Sequence, residues 1–491
     1  MGQTPVFNTE VAADSEQHRM GAEEFRPSAF FRVFSVFRSS LILVFLAIAV
    51  EAATIRPNIV FLMADDLGYG DAGCYGGTTI ATPNIDRLAR EGIRFTQAYS
   101  GGCVCTPARC VLMTGRHNGR AAARDNVPHY HTYLKDEDVT LAEVLKSAGY
   151  RCGGVGKWSL GDAGTEGRAT NQGFDSWFGY LNQDHAHYYY PEYLDDDEGR
   201  LELKGNSSSR EHYSHDLMVD RALKFIRESK EAPFFFYGAF ALPHFAARDE
   251  DKDGFTVPTT EPYTDRDWDM RSKKYAAMVH LLDRDVGRIV DLIDELGLAE
   301  KTLIVLTSDN GGHKTIHSRF KTSGPLRGFK RELYEGGIRV PFIARWPGSV
   351  PAGRTSDAVM AFQDMLPTFA ALAGAKSVAS VDGLDVSAAL MGGGLGTARE
   401  YLYWDYGHCR GRNYAQALRL GDWKGIRAVK DGNRMELYDL AKDVGESKDV
   451  AEANPTIVAR IAALMEKAEE PNPRYEIGTV YKGKPIWRKG D

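Results

Sequence analysis

Cys105 opens the run Cys105-Thr106-Pro107-Ala108-Arg109, which continues to Thr114-Gly115-Arg116. A small nucleophilic side chain thus stands at the mouth of a short helix: Pro107 suits a first turn, Ala108 to Met113 can propagate it, and Gly115 can end it. Residue 105 would sit where backbone N–H groups lack intrahelical partners, a place that favours an anion. Two pairs, Asp65-Asp66 and Asp309-Asn310, offer hard oxygen ligands of the kind Ca2+ or Mg2+ takes, although either pair alone also suits a polar turn. His244 follows an apolar run, and an imidazole near its ordinary pKa can act as general acid at neutral pH. The chemistry these types allow is nucleophilic attack beside a hard cation, with a proton donor for the leaving group.

Most of these residues stand where apolar runs stop. Asn58 to Met63 predicts a buried strand ending in Asp65-Asp66, and Tyr150 to Val155 a second one followed by Gly156-Lys157. Phe234 to Phe240 predicts a third, running into Leu242-Pro243-His244, and Leu303 to Leu306 a fourth, ending at Asp309-Asn310. Helices are predicted from Pro83 to Gly92, Thr140 to Ala148, Leu217 to Ile226 and Tyr275 to Leu296. This alternation predicts an α/β fold, a doubly wound and mostly parallel sheet flanked by helices, with ligands bound beyond the carboxyl ends of the strands. Gly392-Gly393-Gly394 marks a boundary near residue 395. Beyond it, Tyr401 to Trp404, Ala415 to Leu420, Trp423 to Ala428 and Met435 to Tyr438 read as short strands, and Pro455 to Glu469 as an amphipathic helix. The expected organisation is a leader (1–53), a catalytic domain (54–395) and a small C-terminal α+β domain (396–491).

The pentapeptide C-T-P-A-R followed by x-x-L-M-T-G-R resembles the signature of type I sulfatases, the formylglycine-dependent branch of the alkaline phosphatase superfamily. The resemblance implies that a formylglycine-generating maturation enzyme oxidises Cys105, and that the hydrated aldehyde attacks a sulfate ester. It implies a metal site of Asp65, Asp66, residue 105, Asp309 and Asn310. Ca2+ suits several carboxylates better than Mg2+ does. Lys157 in Gly156-Lys157-Trp158 and Lys330 in Pro325-Leu326-Arg327-Gly328-Phe329-Lys330 resemble the sulfate-contacting lysines of that family. Arg109 would fix the formylglycine hydroxyls, and His244 would protonate the leaving alcohol. Tyr334 to Pro341, Arg345 to Gly348 and Leu437 to Leu440 match the family as well.

Two positions depart from the pattern. Cys103 stands where a small residue is usual, and Ser159 replaces the histidine of G-K-W-H-L-G that assists sulfate release. His185 and His187 are candidates for that role or, with Tyr188-Tyr189-Tyr190, for contacts to sugar rings; a packed loop is the alternative.

The chain has 491 residues, 43% hydrophobic and 26% charged, and a net charge of -7. That balance is globular and gives no basic field for nucleic acid, so a sulfated polyanion would need local Lys and Arg. Leu41 to Val50 after Arg32 and Arg38 reads as a secretory signal peptide, far short of the roughly 20 residues of a spanning helix, with an uncleaved membrane anchor as the alternative. The six cysteines show no disulfide framework and no zinc spacing. The expected protein is an exported, calcium-dependent sulfatase acting on a sulfated carbohydrate. A phosphomonoester or phosphonate hydrolase of the same superfamily, and a sulfoglycan-binding protein with Cys105 unconverted, are the competing expectations.

Overall fold

The computed structural model describes residues 56–126, 134–246, 251–376, 378 and 380–480, so the predicted leader lies outside the described residues. At the centre, strands Thr302–Ser308, Asn58–Ala64, Phe234–Ala239, Arg151–Lys157 and Ser176–Tyr180 lie side by side and parallel. Their residues alternate between two apolar layers. Val60, Leu62, Phe236 and Ile304 face the helices Ser214–Ser229 and Met270–Glu295, while Ile59, Phe61, Phe235 and Val305 face Cys105–Thr114 and Met365–Ala373. Burying each large apolar side chain contributes about 1.5–3 kcal/mol, which is why these strands read as continuous apolar runs.

The register brings the strand ends level. Ala64 pairs with Ser308, Met63 with Ala239, and Gly156 with Ala239, so Asp65, Asp309 and Lys157 emerge along one edge. Gly156 has φ 99, and a Cβ there would lie 1.9 Å from Ala239 O, so only glycine fits before Lys157. That strand runs on to Lys157, past the expected Val155.

The sheet is mixed at its flanks. Phe342–Arg345 inserts antiparallel between Thr302–Ser308 and Ile93–Phe95. On the other side the hairpin Tyr193–Asp196 and Gly199–Glu202 extends the sheet antiparallel from Ser176–Tyr180. The sequence pattern predicts no strand here, because Gly199–Glu202 is short, charged and wholly exposed.

Four antiparallel strands, Leu402–Tyr406, Ala415–Leu420, Trp423–Ala428 and Met435–Asp439, form a second sheet. Helix Pro455–Ala468 covers it through Ile461 and Met465 against Tyr403, Leu418 and Leu437. Trp404 Nε1 donates to Ser100 O at 2.8 Å across the junction of the sheets. Lys424 Nζ is buried there between Glu335 Oε1 and Glu446 Oε1, 2.9 Å from each. Among the described residues all six cysteines are free, and no helix is long and apolar enough to cross a membrane.

Candidate active site

Cys105 is the first residue of its helix, which ends at Gly115 with φ 66, as Pro107 and Gly115 predict. Its Sγ is buried 3.3 Å from Asp65 Oδ1 and 3.5 Å from Lys330 Nζ. Burial, then the charges of Asp309 and Asp65, push the thiol up to about 12 against the pull of Lys157 and Lys330. The backbone supplies less positive field than a free helix start would. Thr106 N–H donates to Asn126 Oδ1 at 2.7 Å and Ala108 N–H to Val104 O at 3.3 Å, so side-chain cations carry that task.

Three carboxylates and three cations interlock around the thiol. Lys157 Nζ donates to Asp65 Oδ2 at 2.6 Å, and Lys330 Nζ lies 2.7 Å from Asp66 Oδ1. Arg109, one helical turn beyond Cys105, donates from Nη2 to Asp309 Oδ2 at 2.7 Å and Asp65 Oδ2 at 3.2 Å, and from Nη1 to Lys157 O at 2.6 Å. Burial works against charge on Asp65, yet Lys157, Arg109 and Lys330 hold its carboxyl below the usual range. Asp309 shifts the other way, raised by burial and by the charge of Asp65. Burial also opposes charge on Arg109 and Lys330, and the facing carboxylates keep both above their ordinary values.

Asp66 adopts φ 66, its N–H donates to Asp309 Oδ1 at 3.2 Å, and its Oδ1 accepts from Asn310 Nδ2 at 2.7 Å. Asn310 Oδ1 is buried without a hydrogen-bond partner among the described residues. Three carboxylates and this open amide oxygen, all shielded from water, make a hard donor set. They fit a divalent cation held by Asp65, Asp66, Asp309 and Asn310. Ligand atoms of Asp65, Asp66, Cys105 and His244 lie within 4.8 Å of one another, so the imidazole joins the cluster too.

His244 Nε2 stands 3.7 Å from Asp66 Oδ2 and 3.9 Å from Asp65 Oδ1. Burial, followed by Lys330 and Lys157, holds this imidazole well below its ordinary pKa, which corrects the expectation of an unperturbed general acid. Its ring meets that of His187 edge-on at 4.7 Å. His185 lies elsewhere: buried against Tyr180 and Tyr193, with ring centroids 5.0 and 4.4 Å away, it is pushed down to about 3 by burial. Its ring packs inside the loop, as in the packed-loop alternative to a substrate contact.

Ser159, at φ 63, donates from Oγ to Gln183 Oε1 at 2.8 Å, and Thr106 Oγ1 reaches the same oxygen at 3.4 Å. Gln183 and Asn126 therefore flank residue 105, and neither carries a motif that would single it out in the sequence. The nine other predicted catalytic and metal-binding residues meet in one buried cluster.

The likenesses to known proteins agree with this site. The family model described as Sulfatase matches residues 57–375, more than half of the chain, and that described as N-sulphoglucosamine sulphohydrolase, C-terminal, matches 328–471. Arylsulfatase A of Homo sapiens is 33% identical over 86% of this chain and 89% of its own length. N-acetylgalactosamine-6-sulfatase of Canis lupus familiaris is 34% identical over 75% of this chain and 71% of its own. The crystal structure of Ps i-CgsB in complex with k-i-k-neocarrahexaose superposes with a TM-score of 0.74 at 28% identity, covering 86% of this chain and 95% of that one. With the fold, the buried cluster and these relatives in agreement, the chain belongs to the sulfatase family of the alkaline phosphatase superfamily and is a sulfuric ester hydrolase.

Proposed function

We propose that this enzyme removes sulfate from a carbohydrate ester, using a formylglycine formed at residue 105 and a Ca2+ ion held by Asp65, Asp66, Asp309 and Asn310. The observation that carries this reading is the position of Cys105 Sγ, between Asp65 Oδ1 at 3.3 Å and Lys330 Nζ at 3.5 Å. A carbohydrate is favoured by the oligosaccharide in the Ps i-CgsB complex and by the name of the N-acetylgalactosamine-6-sulfatase relative. The apolar run Leu41 to Val50 supports export, with an uncleaved anchor as its rival.

The ion, when bound, polarises a sulfate oxygen and favours the ionised nucleophile. The hydrated aldehyde supplies two hydroxyls, one to attack sulfur in line and one to expel sulfate afterwards. Lys157 and Lys330 hold the sulfate by charge as negative charge builds on its oxygens. Arg109 ties Asp65 and Asp309 to the helix of residue 105 and so keeps the nucleophile in register with the carboxylates. His244 Nε2 gives a proton to the departing alcohol; burial, then Lys330 and Lys157, disfavour imidazolium, and the incoming ester's negative charge offsets the lysines' share.

Matched 4-nitrophenyl sulfate and phosphate esters test this reading on protein produced with a formylglycine-generating enzyme. Sulfate release at the higher kcat/KM is expected. Faster phosphate release would transfer the site to the phosphomonoester hydrolases, and turnover of neither ester would leave the binding-protein reading.

A further inference from the structure

Lys330 belongs to the site and also borders a cavity of ≈ 600 Å³ at the junction with the C-terminal sheet. Seven Lys or Arg side chains line that cavity against three Asp or Glu, in a chain whose net charge is -7. The excess of cations is therefore local, and charge focused between low-dielectric walls attracts anions. Several of these cations are already engaged: Lys330 lies 2.7 Å from Asp66, Arg410 2.9 Å from Asp125, and Arg434 2.9 Å from Asp449.

Arg331 and Lys430 differ. Both are exposed, and neither has an ion-pair partner among the described residues. Arg331 follows Lys330 directly and takes φ 74, a backbone conformation that non-glycine residues avoid, with its N–H fixed to Cys103 O at 2.9 Å. Strained backbone of this kind collects at functional sites. Lys430 sits on the short turn Val429–Asp431 that follows strand Trp423–Ala428, while Lys314, also exposed and without an ion pair among the described residues, lies over the Phe329 ring at 5.3 Å.

We infer that this cavity holds the body of an anionic oligosaccharide, and that Arg331 and Lys430 bind a second sulfate or carboxylate on it, apart from the ester being cleaved. This rests on the sulfate-ester reading above. A substrate with two anionic groups would bind at both ends, and a singly sulfated sugar only at Lys157 and Lys330.

Calorimetric titration tests this with the full chain produced without the maturation enzyme, so that no ester is consumed. The probes are maltotetraose bearing one sulfate and maltotetraose sulfated at several positions. The wild type should bind the polysulfated probe about tenfold more tightly. Arg331→Gln and Lys430→Gln should each shrink that advantage, the pair should remove it, and Arg331→Lys should restore most of it. Lys430→Gln lies on an exposed turn and keeps the test valid if Arg331→Gln perturbs folding. No advantage in the wild type, or an advantage that survives in the double variant, overturns the inference. Hydrolysis of 4-nitrophenyl sulfate by converted enzyme reads the sulfate-ester assignment separately. Hydrolysis without the binding advantage removes the cavity's role, and the advantage without hydrolysis removes the reaction.

Discussion

One buried ionic cluster surrounds Cys105 and another lies where the sheets join. At the junction, Glu335 Oε1 meets Lys424 at 2.9 Å, while Oε2 accepts from Tyr99 at 2.6 Å and Arg339 at 3.2 Å. Each oxygen of that carboxylate is matched. Positive φ occurs in both clusters, at Glu446 in the junction and at Asp66 and Ser159 around Cys105. Around Cys105 the charges are matched as well, but the neutral ligand atoms Asn310 Oδ1 and His244 Nδ1 have no hydrogen-bond partner among the described residues. Buried charge and positive φ alone therefore do not mark function. Open neutral ligand atoms beside a nucleophile do.

The sharpest break between the clusters should come from Cys105→Ala. Sulfate release from 4-nitrophenyl sulfate should fall at least ~10³-fold, while the midpoint of urea unfolding moves little. Lys424→Met should do the reverse. Stranding Glu335 and Glu446 without their cation should cost about 3–5 kcal/mol of unfolding free energy, with kcat per folded molecule unchanged. Withdrawing divalent cations with EGTA should separate the two further: turnover drops about 10- to 100-fold and returns with Ca2+, and the junction's contribution to stability stays.

The smallest effect concerns a buried carboxylate outside both clusters, Asp71, which accepts from Tyr275 Oη at 2.6 Å and Gly68 N at 2.7 Å but faces no cation in either contact. Burial raises it to about 7 from 3.8, against the hydrogen bonds from Tyr275 and Gly68. The folded state therefore binds this proton more tightly than the unfolded one. Asp71 contributes stability that is full below about pH 4 and is lost as pH rises through about 7, at no more than ~1.4 kcal/mol per pH unit. Chemical denaturation across that window should show this slope, and Asp71→Asn should flatten it. An unchanged slope in Asp71→Asn would assign the dependence elsewhere.

The site was largely legible because its residues sit where apolar runs stop. Asp65, Lys157, His244 and Asp309 each follow or end a strand whose pattern is continuous, and Pro107 with Gly115 frames the nucleophile helix. Register was not legible: nothing in the sequence says that Ala64 faces Ser308 or that Phe342–Arg345 inserts antiparallel beside it. The partner of Ser159 was hidden for the same reason, since Gln183 reaches it only through the fold. The state of His244 was also out of reach, because it is set by burial and by lysines far away in sequence. The hairpin Tyr193–Asp196 and Gly199–Glu202 left no trace in the pattern because its outer strand has no buried face.

The decisive measurement is mass spectrometry of the tryptic peptide ending at Arg109, from protein made beside a formylglycine-generating enzyme. An aldehyde at residue 105 is expected, with Cys103 still a thiol. Cys105 persisting as a thiol, while a control sulfatase in the same cells is converted, would contradict it.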